Sequence, residues 1–479
     1  MRYSLQCSLL LVSLSVPVVS AERVLGAYIY SRHGDRTAKV FGSTQLTDLG
    51  YHEVFESGTF YHDRYIASGS EKRIEGISEY VVNSKQISAS APSDAVLQNS
   101  ATGFLQGVYP PVGSHASQTL GNGTTVESPL NGYQLIQLSI TSENSDSEDS
   151  TWLQGSSDCQ KAGISSNDYY ASDPYNEMLK STQSFYQSLS PMLNRTFNAS
   201  SMSFKNAYTI FDYLNVGRIH NSSAEFPNES QLTDEVYQQL LSLASIHEYN
   251  LAYNSSDPVR AIDGAVLVGQ ILSALNDTIT SEGKSKLTVG FGSYGTFFSF
   301  FALMQLPAAS VDFTGVPDYA STMVLELVTN ATDSDFPSSD EISVRFLWHN
   351  GTVTGSDEPT TYPLFSQSNT LLPWSEFASE MKKIAVLDTN EWCQVCGNTD
   401  GKCASTSSSS SGSASASAAS SGGGMSRGIA GVIGAMVTLA VILGLEALFF
   451  LVGGFRIIKR RKTVTDTSTP AAINDEKSS

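Results

Sequence analysis

Residues 30–40 read YSRHGDRTAKV, which sets His33 between Arg32 and Arg36 directly after an apolar run. A neutral imidazole is a good nucleophile toward phosphorus, and a phosphohistidine is a high-energy intermediate that water discharges. Arginines on both sides offer planar donor forks that grip phosphate oxygens and stabilise charge in a transition state. Gly34 lets the backbone turn tightly beside the imidazole. Histidine and arginines supply the electrostatics themselves, so no metal or organic cofactor is implied. To act in acid, the imidazole must stay unprotonated, and neighbouring like charge depresses its pKa in that direction.

Such a cluster needs a rigid support. RVLGAYIY (23–30) is short, apolar and β-favouring, which predicts a buried strand. Thr47 is a plausible N-cap for the stretch that follows, with Asp48 in the first turn favoured by the helix dipole. Leu49, Val54, Phe55, Tyr61, Tyr65 and Ile66 then recur near helical spacing. The motif therefore occupies a strand-to-helix connection, the usual ligand position in open α/β sheets. SKLTVGFG (285–292), followed by the apolar TFFSFFALMQL, reads as a second strand and helix. The region of about 125–260, rich in Ser, Asn, Asp and Tyr, reads as a mostly helical insertion or second lobe.

The motif, with Leu46-Thr47, Gly50, Arg64-Tyr65 and SATGFLQGVYPP (Ser100 to Pro111), resembles the histidine acid phosphatases. This branch of the histidine phosphatase superfamily also contains the phytases. The stretch TVGFGSYGTFFSFFALMQL looks like the family's later active-site strand and helix, and the likeness runs from residue 23 to about 310. It implies a phosphoglycerate-mutase-like α/β/α sandwich with an inserted helical lobe, and phosphomonoester hydrolysis through phosphohistidine. Carried over residue by residue, His33 is the nucleophile, and Arg32 and Arg36 bind the phosphate.

Three family residues are replaced. No arginine occurs between Arg73 and Arg195, and Ser90 stands where a further phosphate-binding guanidinium is expected. The family's His-Asp pair, phosphate ligand and proton donor, aligns with Ser293-Tyr294. Losing a positioned general acid typically costs about 10²- to 10⁴-fold in rate. Losing one charge-stabilising donor costs a further ~10²- to 10³-fold. Stand-ins expected from the sequence are Asp35 inside the motif, Tyr294 through its phenol, and His220 beside Arg218. The alternative is a non-hydrolytic surface protein that binds phosphorylated ligands; a mutase-type phosphotransferase fits poorly with secretion.

The 479 residues carry a formal net charge of -19, which argues against a nucleic-acid partner and requires any anion site to be locally cationic. MRYSLQCSLLLVSLSVPVVSA has a basic residue, an apolar stretch and small residues near its end, which predicts a signal peptide over residues 1–20. An ectodomain over 21–403 follows. Its sequons lie at Asn122, Asn194, Asn198, Asn221, Asn228, Asn254, Asn276, Asn330 and Asn350, fitting a glycoprotein. Cys159, Cys393, Cys396 and Cys403 are expected in disulfides, with three pairings open; a partial zinc site at CQVCGNTDGKC is the alternative. A Ser/Gly-rich stalk (404–427) precedes the apolar stretch 428–455, longer than the roughly 20 residues that span a bilayer. The basic RIIKRRK after it keeps the 456–479 tail cytoplasmic, giving a type I single-pass protein; a processed GPI signal is the alternative.

Overall fold

The computed structural model describes residues 22–141, 158–220, 229–332 and 335–404. The leader, Asn221, Asn228, the stalk, the apolar stretch 428–455 and the tail lie outside the described residues. The strands are β1 (Arg23–Arg32), β2 (Ile87–Pro92), β3 (Ser117–Thr119), β4 (Thr125–Glu127), β5 (Leu138–Thr141), β6 (Leu287–Gly292), β7 (Thr322–Thr329), β8 (Ile342–His349), β9 (Thr360–Tyr362) and β10 (Leu371–Pro373). One sheet has the order β10-β8-β7-β1-β6-β2-β5, with β9 also paired to β8, while β3 and β4 form a separate hairpin. β1 runs parallel to β6 and antiparallel to β7.

β1 is apolar from Val24 to Tyr30 because both its faces are covered there. Side chains alternate across a strand. Ala27 and Ile29 pack with Val54 and Tyr61 of α1 (Asp48–Tyr65) and with Leu97 and Phe104 of α2 (Ala95–Val108). Tyr28 and Tyr30 point the other way, onto Leu267, Ile271, Phe297 and Phe377 from helices Ile262–Thr280, Tyr294–Leu303 and Trp374–Lys382. The fold is thus a mixed α/β arrangement in which helices flank a central sheet. Among the described residues, one segment is long and apolar enough to cross a membrane, Pro258–Thr280. It is mostly buried, and its side chains form part of this core.

The inserted lobe has its own core, with Tyr186, Phe204, Ile210, Leu214 and Leu240 at its centre. Its start differs from the expected position near residue 125. β5 lies inside that stretch yet is the edge strand of the main sheet, paired with β2, and the helices run from Gln160 to Ala252. Polar composition did not reveal β5, because an edge strand buries little.

Two further features brace the frame. Glu326 of β7 is fully buried and accepts from Arg64 Nη2 (3.0 Å), Tyr65 (2.6 Å) and Arg345 Nε (2.9 Å). The Arg64-Tyr65 pair is therefore a strut between α1 and the sheet. The four cysteines pair as Cys159–Cys396, which holds the start of the lobe's first helix to the C-terminal segment, and Cys393–Cys403 within that segment, so their sulfurs are not available as zinc ligands. Of the described sequon asparagines, Asn122, Asn194, Asn198, Asn276, Asn330 and Asn350 are exposed and Asn254 is half-buried.

Candidate active site

Adjacent parallel strands β1 and β6 end together, Arg32 opposite Gly292. The chain leaves β1 for α1 on one face and leaves β6 for helix Tyr294–Leu303 on the other. A crevice opens where neighbouring strands send their helices to opposite faces, and the Arg32–Arg36 motif sits there. Thr47 caps α1 as expected, its Oγ1 accepting from Gly50 N at 3.0 Å. The helix start touches the motif backbone to backbone: a Cβ on Gly34 would lie 2.1 Å from the Gly50 carbonyl oxygen. Glycine at both positions permits this approach.

His33 is fully buried. Its Nδ1 lies 2.8 Å from the Gly34 carbonyl, which acts as acceptor and thereby fixes the proton on Nδ1. Nε2 is left as the lone-pair nitrogen, with no hydrogen-bond partner among the described residues. Burial first, and then the Arg32 and Arg36 charges, hold the imidazole pKa well below 6.5. The ring is therefore a neutral base deep into acid.

Both guanidinium groups are present beside it, and both are already engaged. Arg32 donates to the Pro317 carbonyl and, at 3.4 Å, to the Tyr208 hydroxyl. Arg36 pairs with Asp212 at 2.9 Å and donates to Tyr208 at 3.3 Å. Asp212 also accepts from the Lys39 backbone N–H at 2.8 Å. The Tyr319 ring covers the group, 5.6 Å from the His33 ring and 4.7 Å from the Arg32 guanidinium carbon. Outside this roof lies a cavity of ≈ 490 Å³ lined by Arg32, Glu53, Asp212, Arg218, Asp318 and Tyr319 among others.

The expected stand-ins fare differently. Asp35 is fully buried and does not line the cavity; its Oδ2 accepts from Thr47 Oγ1 (2.5 Å) and is 2.7 Å from His220 Nε2. Asp35 and His220 thus form a clamp that fixes the motif. The Tyr294 hydroxyl donates to Glu248 at 2.9 Å, so its phenol points into the lobe, while its ring packs against that of Tyr208 at a 30° tilt. Ser293 is the residue before helix Tyr294–Leu303, and Ser90 sits half-buried in β2 opposite Gly290.

Sequence reasoning missed Glu53, Asp212, Tyr208 and Tyr319. Glu53 left a local signal: it lies one turn beyond Gly50, on the helix face that meets the motif. Tyr208 and Asp212 share a face of helix Ala207–His220, and an acid inside the apolar YTIFDYL was the available hint.

The chain belongs to the histidine phosphatase superfamily (branch 2), whose sequence profile matches residues 37–349. The match begins just after Arg36. No curated protein matches the chain in sequence. Among solved structures, it is similar to the Hafnia alvei phytase in its apo form, at 14% identity and a TM-score of 0.51, over 80% of this chain and 99% of that one. It is also similar to the Klebsiella sp. ASR1 phytase, at 11% identity and a TM-score of 0.52, over 76% of this chain and 96% of that one. At these identities the likeness is one of fold.

Proposed function

We propose that the protein is a phosphomonoesterase that hydrolyses its substrate through a phosphohistidine at His33. One observation carries this reading: Nε2 is oriented by the Nδ1 contact to Gly34, has no hydrogen-bond partner among the described residues, and lies in the field of the Arg32 and Arg36 charges. In the reaction, Nε2 bonds to phosphorus while the ester P–O bond breaks, and the leaving oxygen takes a proton and departs as an alcohol. Water then attacks the phosphohistidine, releasing inorganic phosphate and restoring the imidazole. The phosphate displaces Asp212 from Arg36, and the Tyr319 ring swings off His33 to admit it. Branch membership and the phytase-like fold support hydrolysis of phosphate esters. The leader, the sequons and the basic-flanked apolar stretch support an ectodomain held at the outer face of a membrane. The test is p-nitrophenyl phosphate hydrolysis by the intact chain against His33→Ala; equal rates end the reading.

The buried Arg36–Asp212 pair favours a second reading, a phosphate-binding relative without turnover. An acid already fills the grip, and the two arginines have settled contacts. Saturable phosphate binding with no hydrolysis, lost in Arg36→Ala, distinguishes it.

A further inference from the structure

We infer that Glu53 is the proton donor to the leaving oxygen, filling on α1 the role that Ser293-Tyr294 leave vacant after β6. The inference rests on the phosphohistidine reading. Glu53 lines the same cavity as Arg32, the motif residue next to His33, which itself lies buried outside the lining. Its carboxyl is held in place: the Asp35 backbone N–H donates to Oε2 at 2.7 Å. The close approach of Gly34 and Gly50 fixes α1, and with it Glu53, relative to the nucleophile's own loop. One carboxyl oxygen is anchored; the other has no hydrogen-bond partner among the described residues and is available to a ligand.

The other two acids of the cavity are held differently, and Asp318 is the rival donor. Asp212 pairs with Arg36, and Asp318, at the exposed rim, accepts from Asn350 Nδ2 at 3.1 Å. Three charged groups face the Glu53 carboxyl: Asp35, Arg32 and Asp318. Burial pushes it up to about 7, against the Asp35 hydrogen bond, and the Asp35 charge adds to the rise. Glu53 therefore carries its proton at acidic pH, while His33 does not. The two groups are poised as acid and nucleophile over the same pH range. As the P–O bond breaks, the ester oxygen keeps the bonding electrons and takes the Glu53 proton. The carboxylate then accepts a proton from the water that attacks the phosphohistidine.

The experiment compares the intact chain with Glu53→Gln on an alkyl ester, glycerol 2-phosphate, and on p-nitrophenyl phosphate, whose leaving group needs little protonation. The expected result is a kcat/KM loss of about 10²- to 10⁴-fold on the alkyl ester. The aryl ester's kcat/KM, which reports only the steps through departure of the phenolate, falls far less, and circular dichroism with thermal unfolding reports that the variant is folded. The decline in alkyl ester activity above pH 7 also disappears in the variant. Equal kcat/KM losses on both esters overturn the assignment, as does an unchanged alkyl kcat/KM; both leave the His33 reading standing if His33→Ala is dead. The same leaving-group dependence in Asp318→Asn but not in Glu53→Gln overturns it as well. No turnover of either ester by the parent chain removes both readings together.

Discussion

Arg36 and Asp212 lie 2.9 Å apart and are both shut off from water, one on the nucleophile's loop and the other on a lobe helix more than a hundred residues away. Removing one member of a buried ion pair leaves an uncompensated charge and typically costs about 3–5 kcal/mol. Asp212→Asn is expected to lower the unfolding temperature in phosphate-free buffer. Inorganic phosphate then restores more of the loss than it adds to the parent chain, because a ligand bound only by the folded state stabilises it. Thermal unfolding with and without phosphate checks this; a variant that ignores phosphate contradicts the idea that Asp212 occupies the anion's place.

Stability and pH are linked through two groups of opposite sign. Glu53 holds its proton up to about 7 in the folded chain, whereas a free glutamate loses it near ~4.3. Its contribution is complete below the unfolded value and drains away as pH rises through 7. His33 is depressed below 6.5, so its contribution is complete above that value and is lost as pH falls. Denaturant titrations between pH 4 and 8 are expected to show Glu53→Gln without the decline toward neutrality, and His33→Ala without the loss toward acid.

Arg64 and Tyr65 converge on Glu326 within the core. Glu326→Leu leaves the Arg64 and Arg345 guanidiniums without their shared acceptor, and a loss of about 3–5 kcal/mol follows. Urea unfolding reads this loss, and KM for any phosphate ester stays unchanged, since none of the three lines the cavity. A KM change without a stability change means the strut has been misassigned.

The two disulfides differ in reach. Cys159–Cys396 joins residues 237 apart in sequence, and Cys393–Cys403 joins residues 10 apart. Loop-closure entropy grows with loop length, so Cys159→Ser with Cys396→Ser is expected to lower the unfolding midpoint more than Cys393→Ser with Cys403→Ser. Calorimetry of the two double variants decides it.

Local chemistry was legible in the sequence and long-range pairing was not. RVLGAYIY announced β1 because a strand buried on both faces must be apolar throughout. Thr47 announced the helix start, because few side chains cap so well. The RHGDR spacing placed His33 and both arginines at one point in the fold. What Asp35 and Tyr294 do depends on partners far along the chain, His220 and Glu248, and no local pattern encodes those distances. Asp212 and Tyr208 reach the site through the packing of the lobe. Glu53 lay within reach of sequence reasoning, since an acid three residues after a glycine that touches the motif must lie on the same helix face.

The most direct measurement traps the covalent intermediate. The intact chain is mixed with substrate, quenched in denaturant at alkaline pH, digested, and the peptide containing residues 30–40 is examined by mass spectrometry. The account predicts a phosphoryl group on His33, released by acid and absent from His33→Ala. Turnover that proceeds with the imidazole never phosphorylated, or with the phosphoryl group on another residue, contradicts it.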